Sequence, residues 1–171
     1  MTYFAFLRAI NVVGRNMLRM SDLQALCTWL GFANVRTLLQ SGNVAFEAKR
    51  RPSEAKIAQA IRESAGLDIK VMLRDEAELR AVVARNPFLP VRNPSQLLVF
   101  FLEREASGPI VYSGPETFHV AGRELYVDYV NGAGRSKLTT ALIERCVGCA
   151  GTARNWNTVT KLLALTPAAK S

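Results

Sequence analysis

The residues best suited to chemistry in this sequence are cations and amides at four places: Arg8 with Asn11, Ser41 with Asn43, Arg135-Ser136-Lys137, and Arg154 with Asn155 and Asn157. Arginine offers a two-pronged donor for an oxyanion, lysine a point charge, and an asparagine amide a neutral donor. At the last of these places Trp156, Val159, Leu162 and Leu163 fall on one helical stripe, which puts Asn155 at the N-cap and Arg154 just outside it. A helix start carries free N–H groups and partial positive charge, so this set could hold an anion. The plainer alternative is that Asn155 only caps and Arg154 only meets solvent. Gly132-x-Gly134 ahead of Ser136 matches neither the Walker spacing nor the dinucleotide fingerprint.

Composition narrows the chemistry. Cys146 and Cys149 form a single Cys-x-x-Cys, and the one histidine, His119, is distant, so four zinc ligands are lacking and no metal site is expected. Cys146 falls near a helix end rather than at a helix start, where thiolates are stabilised, which disfavours redox use. Cys27 lies on a stripe with Leu23, Leu26 and Leu30 and reads as core. Ser136 and Lys137 are adjacent and hence splayed apart, a poor Ser–Lys dyad. No general base stands out, so the catalytic residues are unknown, and no cofactor is implied. The net charge of +8 is unevenly placed: residues 1–51 carry seven Lys/Arg against two acids, and residues 122–171 seven against three. That asymmetry favours an anionic partner. The longest strongly apolar run, Leu97–Leu102, is too short to cross a bilayer, and Arg8 interrupts the apolar start, so a cytoplasmic protein without membrane partners is expected.

Periodicity supplies the elements that would position these groups. Tyr3–Leu7 is apolar on both faces, a central strand. Arg8 to Met20 has no clear period, and Ser21 with Gln24 reads as a capping box for a helix to Leu30. Val35–Leu39 and Val44–Glu47 form a hairpin around Gln40–Asn43. Ser53 starts a second helix that Gly66 ends, and Ile69–Leu73 is a fourth strand. The order βαββαβ is ferredoxin-like. With the first and third strands central and antiparallel, Arg8, Asn11, Ser41 and Asn43 would meet at one sheet end. Asp75 caps a further helix ended by Asn86-Pro87-Phe88. Gln96–Leu102 is a strand, Glu103–Gly114 a loop, and Thr117–Ala121 with Glu124–Val130 a hairpin around Gly122-Arg123. A helix opening at Ser136-Lys137, a short extended piece and the closing helix follow. The expected fold is α+β: a ferredoxin-like half over 1–74, a helix and Pro-rich joint over 75–95, and a looser plait-like half over 96–171 that has lost at least one helix.

Five segments carry a resemblance. They are Leu7-Arg8-Ala9-Ile10-Asn11-Val12-Val13-Gly14, Arg36–Val44, Asn86-Pro87-Phe88, Gly134-Arg135-Ser136-Lys137-Leu138 and Thr152–Thr158. In this order they resemble the bacterial family known as domain of unknown function 1697. The resemblance implies an α+β fold of ferredoxin-like character and no assigned activity. Ala9 and Val13 stand where the family usually has glycine, and Leu38 where it has an aromatic. Val13 disfavours positive φ, which argues against a glycine-type anion nest in the first loop.

The function expected from the sequence is binding of a phosphorylated or other anionic small ligand in a basic cleft between the two halves. The site residues are Arg8, Asn11, Ser41, Asn43, Arg135, Ser136, Lys137, Arg154, Asn155 and Asn157. On this reading Arg154→Ala weakens phosphate binding and leaves the melting temperature nearly unchanged. One alternative is a nucleic-acid binding module, although Val44-Ala45-Phe46 lacks the aromatic RNA-recognition pattern. Another, by analogy of fold, is an acylphosphatase-like hydrolase using Arg8 and Asn43 or Asn11. A third is a structural or oligomeric protein whose partner covers the basic ends, with Leu97–Leu102 either a buried strand or one pairing across a dimer.

Overall fold

A computed structural model describes residues 1–8, 17–38 and 42–166. In order the elements are β1 (Thr2–Leu7), α1 (Met20–Trp29), β2 (Ala33–Leu38), β3 (Asn43–Glu47), α2 (Glu54–Ala65), β4 (Val71–Asp75), α3 (Glu76–Ala84), β5 (Leu97–Leu102), β6 (Thr117–Ala121), β7 (Glu124–Asp128), a 3-10 turn (Ala133–Arg135), α4 (Thr140–Val147), β8 (Gly151–Asn155) and α5 (Trp156–Ala164). The fold is α+β, with two four-stranded antiparallel sheets ordered β2-β3-β1-β4 and β6-β7-β5-β8. The chain divides into two compact units, Met1–Ala81 with Lys161–Ser171, and Val82–Thr160.

Local chemistry sets most of the boundaries. Ser53 Oγ accepts from Lys56 N at 3.3 Å to open α2, and Gly66 closes it at φ +69°. Asp75 and Glu78 form a reciprocal capping box: Asp75 Oδ1 accepts from Glu78 N at 2.8 Å, and Glu78 Oε2 from Asp75 N at 2.7 Å. The β6–β7 hairpin turns on Gly122 at φ +61°, and Arg123 has no positive φ, as a type II′ turn requires. At α1 the expectation fails. The helix begins at Met20 after Arg19, which makes no side-chain cap, so Ser21 and Gln24 lie inside it. Burial of Leu23 and Cys27 sets the register there, and Gln24 Nε2 instead donates to Val35 O at 3.2 Å. Burial also pushes the Cys27 thiol up to about 12, an inert core residue.

In the first unit the face of the sheet carrying Tyr3, Ala5 and Leu7 packs with Leu23, Cys27, Ile57 and Ile61 of α1 and α2. Phe46 lies there too, stacked on Phe32 with ring centroids 4.1 Å apart. In the second unit the face carrying Phe100 and Leu102 packs with Ile143 and Val147 of α4, and Ile110 from the 103–116 segment fills the place of a helix. The second unit therefore repeats the strand order of the first with the helix after its first strand missing.

The repeat extends to single residues. In the first sheet Arg36, Ala45, Phe4 and Arg74 form one row across four strands, and in the second His119, Tyr126, Val99 and Arg154 form the corresponding row. Members of a row share a face, here the one turned away from the helices just named. Arg74 and Arg154 are the fourth residues of β4 and β8, and both are buried. Each donates from Nη1 to the carbonyl of its preceding residue, Leu73 at 2.9 Å and Ala153 at 2.8 Å.

Candidate functional site

The described part of the N-terminal site lies where β1 ends. Phe6 pairs with Asn43, and Leu7 N donates to Gly42 O at 2.9 Å, so Arg8 and Asn43 do share one end of the sheet. Asn43 is fully buried, and its Nδ2 donates to Leu38 O at 2.8 Å, closing the β2–β3 hairpin. Asn11 and Ser41 lie outside the described residues.

A residue that sequence reasoning missed joins them. Arg8 N donates to Lys70 O at 2.9 Å, which carries the β1–β4 register one step past Leu7 and Val71 and sets the two cations directly opposite each other. Like charges so placed repel. The corresponding bond of the second sheet runs from Glu103 N to Ala150 O at 2.9 Å, so the cation pair belongs to the first sheet alone. Lys70 was legible only through the βαββαβ order, which brings the start of the fourth strand beside the end of the first.

The second unit holds the other sequence candidates and uses several of them internally. Asn155 caps α5, its Oδ1 accepting from Thr158 N at 2.9 Å. Asn157 Nδ2 reaches Ser95 Oγ at 3.4 Å. Arg154 stands within β8, 7% exposed, with Nη1 donating to Thr152 Oγ1 at 2.8 Å. Burial lowers its guanidinium to about 10, so at neutral pH it remains charged and its desolvation opposes folding. The helix expected at Ser136 starts instead after Thr139, whose Oγ1 accepts from Leu142 N at 3.2 Å. Arg135 and Lys137 flank Ser136 at the surface.

Ser136 belongs to a cluster built on Glu116. Tyr112 Oη donates to Glu116 Oε2 at 2.6 Å and Ser136 Oγ to Oε1 at 2.5 Å, while Leu138 N donates to Ser136 Oγ at 3.0 Å. Tyr129 Oη donates to Leu138 O at 2.8 Å beneath it. Glu116 thereby fastens the segment that replaces a helix to the turn ahead of α4. The Ser136 bond, and next the Tyr112 bond, hold the Glu116 carboxyl below the ordinary glutamate value, and Tyr112 is raised in turn by Glu116. A depressed carboxylate adds stability that is complete above the unfolded value and is lost as pH falls through the folded one. Melting curves from pH 7 to pH 3 should therefore fall less steeply below about pH 4.5 for Glu116→Gln than for the parent. Parallel acid limbs would remove Glu116 from the account. Of this cluster the sequence marked only Ser136, because the loop that supplies Tyr112 and Glu116 has no period.

A groove of about 1160 Å³ lies elsewhere in the first unit, between α1 and α2, lined by Met17, Leu26, Trp29, Ala60 and Glu63 among others. Trp29 is 78% exposed on its rim. Among the described residues no group of three or more His, Cys, Asp or Glu is arranged to hold a metal. Nor is any described helix long and apolar enough to cross a membrane.

The family described as Protein of unknown function (DUF1697) matches residues 1–126. The chain belongs to this family. The DUF1697 match takes in Arg8, Asn43, Lys70 and Glu116 and ends before Arg135 and Arg154. No curated protein matches the chain. Among solved structures it is similar to the conserved bacterial protein SP0830 from Streptococcus pneumoniae, with 20% identity over 95% of this chain and 97% of that one and a TM-score of 0.68. At that identity the likeness shows a shared fold and nothing finer.

Proposed function

We propose that this protein binds a phosphorylated or other anionic small molecule, and that Arg8 and Lys70 supply the first charge recognition. The observation that carries the reading is the juxtaposition of these two cations across β1 and β4. An anion at this end of the sheet can meet both charges at once, and the arginine fork together with the lysine point charge suits a phosphate. Arg36 and Arg74 lie on the same face of the same sheet and strengthen its positive field. Asn43 shapes the hairpin beside Arg8 rather than reaching for the ligand. Arg135 and Lys137 add surface charge in the second unit, and Arg154 serves its own strand.

Titration with inorganic phosphate and pyrophosphate, followed by calorimetry or amide NMR shifts, tests the reading. Arg8→Ala and Lys70→Ala should each weaken binding by about tenfold while melting temperatures stay close to the parent. Arg8→Lys should fall between, having kept the charge and lost the fork. Unchanged affinity in both alanine variants overturns the assignment. Affinity for RNA exceeding that for pyrophosphate, with a steep salt slope, would favour the nucleic-acid alternative.

A further inference from the structure

The two sheets have four outermost strands, and three of them have outward backbone groups occupied by side chains. On β2 Gln24 Nε2 donates to Val35 O at 3.2 Å, the register shifts between Ala33 and Arg36, and Asn34 adopts φ +50°. On β4 Glu54 Oε1 accepts from Leu73 N at 2.9 Å, and Arg51 Nη2 donates to Leu73 O at 3.2 Å. On β8 Arg154 Nη1 donates to Ala153 O. Such devices keep an exposed strand from pairing with another chain. The fourth outer strand, β6, has none of them: Thr117-Phe118-His119-Val120-Ala121 contains no lysine, no proline and no bulge, and it pairs on one side only, with β7.

The hairpin geometry fixes which groups of β6 point outward. A two-residue turn places a hydrogen-bonded pair next to it, here Ala121 with Glu124, and the pairs then alternate. Phe118 and Val120 therefore direct their N–H and C=O groups away from β7. We infer that β6 is a self-association edge, pairing antiparallel with β6 of a second copy about a twofold axis at His119.

The sequence of the strand supports a second copy as its occupant. Centred on His119, the pairing sets Phe118 against Val120 of the other copy and Val120 against its Phe118, so that the outward groups meet in two doubly hydrogen-bonded pairs. It also makes two aromatic–β-branched contacts, a favoured cross-strand combination. Phe118 and Val120 lie on the face packed against the second unit's core and are only partly buried there, so the pairing adds to their burial. A shift of one residue would set outward groups against inward ones, which fixes the register. No acidic or basic pair clashes; the only residue facing itself is His119. Five residues of edge bury far less than the area of a stable dimer, so the association is weak and concentration-dependent.

Sedimentation velocity of the full chain across micromolar to millimolar concentration should show a reversible monomer–dimer equilibrium. On dilution, the amide signals of Phe118 and Val120 should shift while those of Thr117, His119 and Ala121, which face β7 or lie beside it, move less. His119→Glu sets two carboxylates face to face on the axis and should lower the association constant by about tenfold. Val120→Pro removes an outward donor at a position where an edge strand tolerates proline, and it should have the same effect. The parent experiment stands apart from either variant's ability to fold. A chain that remains monomeric at millimolar concentration overturns the inference. So does self-association with equal strength in both folded variants, or pairing of this edge with a foreign strand in preference to its own copy.

Discussion

Arg154→Ala is expected to lower the stability of the protein by about 3 kcal/mol, roughly 6–12 °C in melting temperature. This reverses what the sequence suggested, namely a surface cation that could be removed at little cost to the fold. The side chain is 7% exposed in β8, and its Nη1 bonds Thr152 Oγ1 and Ala153 O at 2.8 Å each. Truncation leaves a void and strips both acceptors of that donor, two losses that together outweigh the recovered desolvation of one guanidinium. Arg154→Met separates these effects, because it keeps the length and discards the charge, and a well-filled replacement of a buried ion is often tolerated. The methionine variant should therefore melt well above the alanine one. An alanine variant that melts within a degree or two of the parent, measured by calorimetry at pH 7, would show that Arg154 is not structural.

The corresponding change in the first unit, Arg74→Ala, is expected to have a larger effect, about 4 kcal/mol. Arg74 is 1% exposed and heads the largest fully buried side chains of the chain. It shares the carbonyl of Leu73 with Arg51, whose Nη2 approaches at 3.2 Å, so this acceptor keeps one donor after the substitution. The void left by so large a buried side chain therefore contributes to the loss, and Leu73 O is not orphaned by it. Arg51→Ala combined with Arg74→Ala removes the second donor as well and should destabilise by more than the sum of the single changes. Additive behaviour in urea melts would mean that the two guanidinium groups do not act on a common acceptor.

Much of the scaffold was legible in the residues themselves. Ser53 and Gly66 bracket α2, Asp75 caps α3, Asn155 caps α5, and Gly122-Arg123 makes the tight hairpin, because caps and turns obey short-range rules. The absent helix of the second half also showed, as a stretch from Glu103 to Gly114 without a period. The errors arose where long-range packing overrides local preference. Ser21 and Gln24 have the spacing of a capping box, yet burial of Leu23 and Cys27 starts the helix at Met20. Ser136 resembles a helix start, yet its hydroxyl is drawn to Glu116, twenty residues earlier. Arg154 carries no mark of burial in its neighbourhood: the short extended piece ahead of the last helix was legible, but Gly151-Thr152-Ala153-Arg154 has no apolar alternation to show which of its residues turn inward. Lys70 was passed over for a related reason: only the strand order places it beside Arg8, and its significance lies in the residue across from it rather than in its own segment.

The guarded strand edges also bear on mutational tolerance. Solvent-facing arginine and glutamate are ordinarily among the most interchangeable residues of a protein, since their replacement disturbs neither packing nor charge balance by much. Arg51 and Glu54 do not fit that expectation, because each reaches across to close a backbone group of β4. Substitutions there leave the hydrophobic core intact and uncover a template for another strand, so their harm would be felt as insolubility at high expression rather than as a loss of native packing.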